Sequence, residues 1–377
     1  MGQALTDNWS RNNEMTPAIY NYLDATDWGS DSGTPPAPIT LDDVLQARET
    51  IRPCLPPTPL QHHALLSERV GTRTYVKLEN MQDIGAFKIR GAINLLANLT
   101  DEERDMGIVT ATRGNYGAAL ARACAMYGVS CTVFVPEGNS PDKNAGVKSL
   151  GAEVIVQGHD FDAAWDASVR YARKKRALSI HPAKRAELVA GQGTVALEML
   201  EQSDGKLDVV FVPVGGGSLA AGTTTVIKAL SPQTRVIAVQ AENAPAFHHA
   251  WHTKKYAPMV AAQTIADGLA TRVPVRYTLG MMQALDDFVL VSEEEICAAI
   301  RCYAETIHHL AEGGGAAPLA AALKMREQLA GQTVGLILTG SNIDRAALMQ
   351  ALRTDAALHT PLAVPDFPLA SIDYGDR

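Results

Sequence analysis

Cysteine is scarce in this chain of 377 residues: Cys54, Cys124, Cys131, Cys297 and Cys302 are the whole set, and none form a CxxC pair. That spacing indicates neither a thiolate metal centre nor a disulfide framework. Cys124 and Cys131 lie in apolar surroundings and read as small buried side chains. Long apolar runs are missing as well, since no stretch approaches the roughly 18 unbroken apolar residues of a membrane span. The opening MGQALTDNWSRNNEM has no basic start and no apolar run, so no leader is expected. The densest basic block, RKKR at 173–176, falls on a helical pattern and reads as a solvated face. A net charge of −8 counts against nucleic acid or an anionic membrane as the main partner. These absences predict a soluble, cytoplasmic protein with no nucleic-acid or membrane partner.

What is present is an ordinary globular mix, 46% hydrophobic and 20% charged, in a chain longer than one core usually serves. From position 74 onward, apolar strand-like runs alternate with helical patterns. GIVTA, CTVFVP, EVIVQ, DVVFVPV, RVIAVQ and TVGLILTG are the clearest strands. Buried strands alternating with helices predict parallel, doubly wound sheets in an α/β protein. The first forty residues are polar and end in DSGTPPAP, but Trp9, Tyr20, Tyr22 and Trp28 suit them to packing on the body or on a neighbouring subunit. The expected division is an N-terminal arm (1–45), a large domain (46–106 plus 185–377) and a small domain (107–184).

Four turns stand out where strands hand over to helices, which is where ligands sit in open α/β sheets. GAFKIRGA (85–92) sets Lys88 between an aromatic and an arginine, with glycines on either side. TATRGNYGAAL (110–120) offers Thr112, Asn115 and neighbouring amides to a carboxylate, although an ordinary capped helix explains it as well. VPVGGGSLAAG (212–222) is a glycine run opening a helix, suited to a phosphate or simply to tight strand–helix packing. LTGSN (338–342) puts Thr339 and Ser341 at the end of the last strand. Together they supply a lysine, an anion cup, a phosphate cup and a hydroxyl, with Phe87 able to pack on a planar ring. That inventory suits a phosphorylated aldehyde joined covalently to the lysine.

KLENMQDIGAFKIRGA resembles the lysine segment of fold-type II pyridoxal-phosphate enzymes, in particular the serine/threonine dehydratase group. Further matches run in order: TRGNYG, HP…ELVAGQGTVALEML, VPVGGGSLAAG, TIADGLA, AEGGGAAPLAA and LTGSN, covering about 50 to 350. The resemblance implies a tryptophan-synthase-β-like fold of two doubly wound open sheets, with pyridoxal 5'-phosphate in the cleft between a large and a small domain. It implies that Lys88 carries the cofactor and removes the substrate's α-proton. Gly215, Gly216, Gly217, Ser218 and Leu219 would cup the phosphate, with Phe87 and Asn115 against the ring. Thr339 would stand next to the ring nitrogen. Thr112, Arg113, Gly114, Asn115 and Tyr116 would hold the substrate carboxylate. The implied reaction is loss of water from a β-hydroxy-α-amino acid, serine or threonine by default, to give a 2-oxo acid and ammonia. 3-Hydroxyaspartate and phenylserine are alternative substrates, and a same-fold β-replacement synthase, a racemase or a non-catalytic homologue are the rival readings. A homodimer or homotetramer is expected.

Two departures from the group's pattern carry information. Arg113 replaces a small residue, often the serine that racemases use as a second acid/base, and an arginine stays protonated. Racemisation is therefore not expected, and an acidic substrate side chain becomes an option, as does a salt bridge within the protein. Tyr116 replaces the usual histidine. Gln240 and Ala246 stand where cation-binding relatives carry acids, so no structural metal is expected. His248 and His252 have ligand-like spacing, but nothing in the nearby sequence completes a site. Too few residues follow LTGSN for a regulatory domain, so feedback control is not expected.

Overall fold

The computed structural model describes residues 37–353. The aromatic residues of the expected arm and the proline-bearing tail lie outside them. The first helix, α1 (Leu41–Ile51), opens with a capping box: Asp43 N donates to Thr40 Oγ1 at 3.3 Å and Thr40 N donates to Asp43 Oδ2 at 2.7 Å. Its buried side, Leu41, Val44, Ala47 and Ile51, follows helical spacing. An arm ending at 45 therefore cuts a helix. The helix belongs to the body, where Val44 packs so close to Gly193 that an added Cβ would lie 2.8 Å from its methyl.

Ten strands among the described residues form two sheets. In chain order the first five are β1 (Leu60–His62), β2 (Arg73–Leu78), β3 (Ile108–Ala111), β4 (Cys131–Val135) and β5 (Glu153–Val156). Then come β6 (Leu178–Ser179), β7 (Val209–Pro213), β8 (Arg235–Ala241), β9 (Asp287–Val291) and β10 (Thr333–Leu338). The larger sheet runs β1-β2-β10-β7-β8-β9, and the smaller β5-β4-β3-β6. Every pairing is parallel except β1 with β2, so the larger sheet is mixed by one antiparallel edge strand.

Strand periodicity sends alternate side chains to opposite faces, and both faces of the larger sheet are covered. Val210 and Val212 join the core beneath α2 (Ile89–Asn98), α6 (Ala186–Gln202) and α7 (Ser218–Leu230). Val209 and Phe211 pack instead with α8 (Glu293–Thr306) and α9 (Gly313–Lys324). The smaller sheet buries Ile108 and Val133 beneath α3 (Asn115–Tyr127). Its other face sets Val109 and Phe134 against Ala164 and Ala167 of α5 (Phe161–Lys175). The helix between them, α4 (Pro141–Ser149), carries Lys143 toward the larger body. No helix among the described residues is long and apolar enough to cross a membrane.

Candidate active site

Strands β2, β10 and β7 are neighbours and parallel, so their carboxyl ends open on one edge of the sheet. After β2 the chain doubles back across the exit of β10. Phe87 N donates to the Thr339 carbonyl at 3.0 Å, Ser341 N donates to the Gly85 carbonyl at 3.0 Å, and Ala86 bridges Gly340. Gly85 takes a φ of +69°, a conformation that glycine alone adopts freely. This zipper delivers Lys88 to the residue before α2. Its Nζ lies 3.4 Å from Ser218 Oγ and 4.7 Å from the centre of the Phe87 ring. Burial pushes the Lys88 ammonium down to about 8, against the opposing charge of Glu312.

From β7 the chain enters the glycine run and then α7. An added Cβ on Gly215 would fall 2.2 Å from the Gly268 carbonyl. Gly217 has a φ of +82°, and a Cβ there would lie 2.7 Å from Thr278 Oγ1. Thr278 donates to the Gly216 carbonyl at 2.8 Å and fixes the loop. The loop thus leaves the free N–H groups of the first turn of α7 facing open space, where helix polarity favours an anion.

The turn after β3 is organised by Thr112, whose Oγ1 accepts from Gly114 N at 3.0 Å and Gly117 N at 3.2 Å. The Gly114 amide is thereby occupied inside the turn. Asn115 Nδ2 donates to both carboxylate oxygens of Glu312, at 2.7 and 2.9 Å, while its Oδ1 accepts from Asn342 Nδ2 at 2.8 Å. Glu312 is buried, and that burial together with Asp267 pushes its carboxyl up to about 7 in spite of the Asn115 hydrogen bonds. Tyr116 packs in the core beneath α3, and burial raises its phenol well above the usual range.

These pieces meet around a cavity of about 410 Å³. All the residues that the resemblance implied line it: Phe87, Lys88, Thr112 to Tyr116, Gly215 to Leu219, and Thr339, whereas Ser341 does not. The lining also holds residues that the expected site left out. His181 stands edge-on to Trp165 at 4.8 Å and to Phe161 at 6.2 Å between ring centres. Lys143 is hydrogen-bonded to Asp267, and Arg276 lies 4.1 Å over the Tyr256 ring. His181 and Asp267 fall within the matched HP and TIADGLA segments, so the signal for them existed. Phe161 and Trp165 are ordinary members of an amphipathic helix and gave none. Elsewhere, the His248 and His252 rings are 4.1 Å apart, but no group of three or more His, Cys, Asp or Glu ligands occurs among the described residues. Gln240 Oε1 accepts from His248 N at 3.1 Å and serves the fold there.

A half-buried amine to which no carboxylate among the described residues is paired, beside a glycine loop where an added Cβ would clash at Gly215 and Gly217, fits a phosphorylated aldehyde. Lys88 would hold the aldehyde carbon, Gly215 to Leu219 the phosphate, and Thr339 and Asn115 the ring edge.

The family model for pyridoxal-phosphate dependent enzymes matches residues 51–340, and the chain belongs to that family. It is 38% identical over 307 residues to an L-threonine ammonia-lyase of Thermotoga maritima, covering 81% of this chain and 76% of the relative. An L-threonine ammonia-lyase of Geobacter sulfurreducens is 39% identical over 309 residues, with the same shares covered. Among solved structures, maize serine racemase superposes with a TM-score of 0.78 at 30% identity, over 84% of this chain and 97% of that one. The fold is accordingly that of the fold-type II enzymes, and the cofactor is pyridoxal phosphate.

Proposed function

We propose that the chain is a lyase that removes water from a β-hydroxy-α-amino acid of the serine or threonine type, releasing a 2-oxo acid and ammonia. The observation that carries this reading is the half-buried Lys88 amine, with no carboxylate among the described residues paired to it, beside the helix-opening glycine loop. The threonine ammonia-lyase relatives point to the same substrate class. The bound cofactor supplies the electron sink for the pair left when the Cα–H bond breaks. Lys88 takes that proton; its depressed pKa keeps a useful fraction of the amine neutral near pH 7 to 8. Amides of the turn after β3 other than those of Gly114 and Gly117, which Thr112 occupies, hold the α-carboxylate, and Glu312 fixes the Asn115 side chain that begins α3. Loss of the β-hydroxyl as water leaves an unsaturated amine, which tautomerises and is hydrolysed to the 2-oxo acid. Thr339, at the cavity wall, would offer the ring nitrogen a neutral hydroxyl instead of a carboxylate, which suits rapid elimination. The racemase reading is disfavoured because Arg113 cannot act as a proton acceptor on the opposite face.

The division into a small unit (107–184) and a large one belongs to this proposal, as do a homodimer or homotetramer and a cytoplasmic location. None of the five cysteines is joined in a disulfide, which suits a reducing compartment. The test of the reaction is Lys88→Ala, which should lose both visible cofactor absorbance and ammonia release. A variant that still releases ammonia at the wild-type rate would remove Lys88 from the chemistry.

A further inference from the structure

The turn after β3 carries a charge that the reaction above does not use. Arg113 lines the cavity, half-buried, and its Nε is shut off from solvent without a hydrogen-bond partner. Among the described residues no carboxylate pairs with its guanidinium. Neighbouring cations are already committed: Lys143 lies against Asp267 and 3.7 Å from Asp344, and Arg272 reaches Asp160 at 2.9 Å and Asp162 at 2.8 Å. The carboxylates facing the cavity are likewise occupied, Asp267 by Lys143, Asp162 by Arg272 and Glu312 by Asn115. Asp166 sits exposed at the rim, where solvent screens it. A half-buried guanidinium facing the cavity, with no carboxylate among the described residues paired to it, is suited to receive an anion, and its planar fork matches a carboxylate.

Resting on the lyase reading above, we infer that Arg113 is a specificity-determining residue that pairs with an acid group on the substrate side chain. The preferred class is then a β-hydroxy-α-amino dicarboxylic acid, of which 3-hydroxyaspartate is the shortest. The α-carboxylate goes to the backbone amides of the turn and the second carboxylate to Arg113. The Cα–H and Cβ–OH bonds break and water leaves. Tautomerisation and hydrolysis then give 2-oxobutanedioic acid and ammonia.

The experiment measures kcat/KM of the holoenzyme for threo-3-hydroxyaspartate, L-serine and L-threonine in the wild type, Arg113→Ala and Arg113→Lys. Calorimetric binding of L-aspartate and L-alanine, which carry no β-hydroxyl, runs alongside. The wild type should favour 3-hydroxyaspartate over L-serine by about tenfold or more, and Arg113→Ala should lower that ratio by a similar factor, whatever loss both substrates share. Arg113→Lys should retain an intermediate ratio, and L-aspartate should outbind L-alanine only while a cation stands at 113. A wild-type preference for L-serine or L-threonine, or a ratio unchanged in both variants, overturns the inference. If no amino acid is turned over although the cofactor is bound, the lyase reading fails, and the L-aspartate to L-alanine binding ratio still decides the role of Arg113.

Discussion

Arg90→Met probes how Lys88 is held. Arg90 lies two residues beyond Lys88 and is 1% exposed. Its Nε and NH2 donate to the two oxygens of Glu79, both at 2.7 Å, and NH1 and NH2 donate to Glu198 at 2.6 and 2.8 Å. Lys77 Nζ adds a 2.5 Å contact to Glu198, so two cations neutralise two anions in a space closed to water. Removing the arginine leaves one net negative charge buried there. Loss of one partner of a buried ion pair costs about 3–5 kcal/mol, and methionine refills much of the volume, so little cavity cost is added. Against a total stability of about 5–15 kcal/mol, that loss should lower the melting temperature by roughly 5 °C. The pH dependence supplies a second check. Burial alone would raise the Glu79 carboxyl, but Arg90 and Lys77 hold it below the usual carboxylate range, so in the wild type its contribution is present at neutral pH and lost on acidification. Without Arg90 the same carboxyl prefers its proton, and the deficit of the variant should shrink between about pH 8 and pH 5. Adding Glu79→Gln should recover about 1 kcal/mol or more. Urea unfolding of wild type, Arg90→Met and the double variant at both pH values measures all of this. A deficit below about 1 kcal/mol, or one that is equal at both pH values and untouched by Glu79→Gln, would show that the network does not stabilise the body beneath Lys88.

Gly217→Val forces a side chain into a left-handed backbone and against Thr278, so the affinity of the apoprotein for pyridoxal phosphate should fall by about tenfold or more, as read by absorbance titration. Glu312→Gln removes a carboxyl that ionises at about 7 beside Asn115. The wild-type kcat/KM profile should therefore carry an inflection near that pH that the variant lacks, the variant keeping only the rise set by Lys88; superimposable profiles would take Glu312 out of the site's titration.

Legibility in the sequence followed how much of each element's character is local. The parallel strands β3, β4, β7, β8 and β10 are buried on both faces and therefore read as unbroken apolar runs, which composition alone exposes. The edge strand β1 is half-exposed to exposed along its length and pairs on one side, so nothing in LQH distinguishes it from a loop. β6 has two residues and exists through its pairing with β3. The site divides the same way. Lys88 and the glycine run were legible because each demands a residue type that nothing else substitutes: an amine to bond an aldehyde, and a backbone at φ +82°. The partners of those groups are long-range facts. Asn115 meets Glu312 across 197 residues and Asn342 across 227, and no local pattern encodes either distance. Arg113 shows the converse most clearly. Its chemistry was plain from its identity, whereas its lack of a partner is a property of the folded lining. Among the described residues no carboxylate pairs with it, and on the inference above that is what would make an arginine at that turn a receptor for a second acid group.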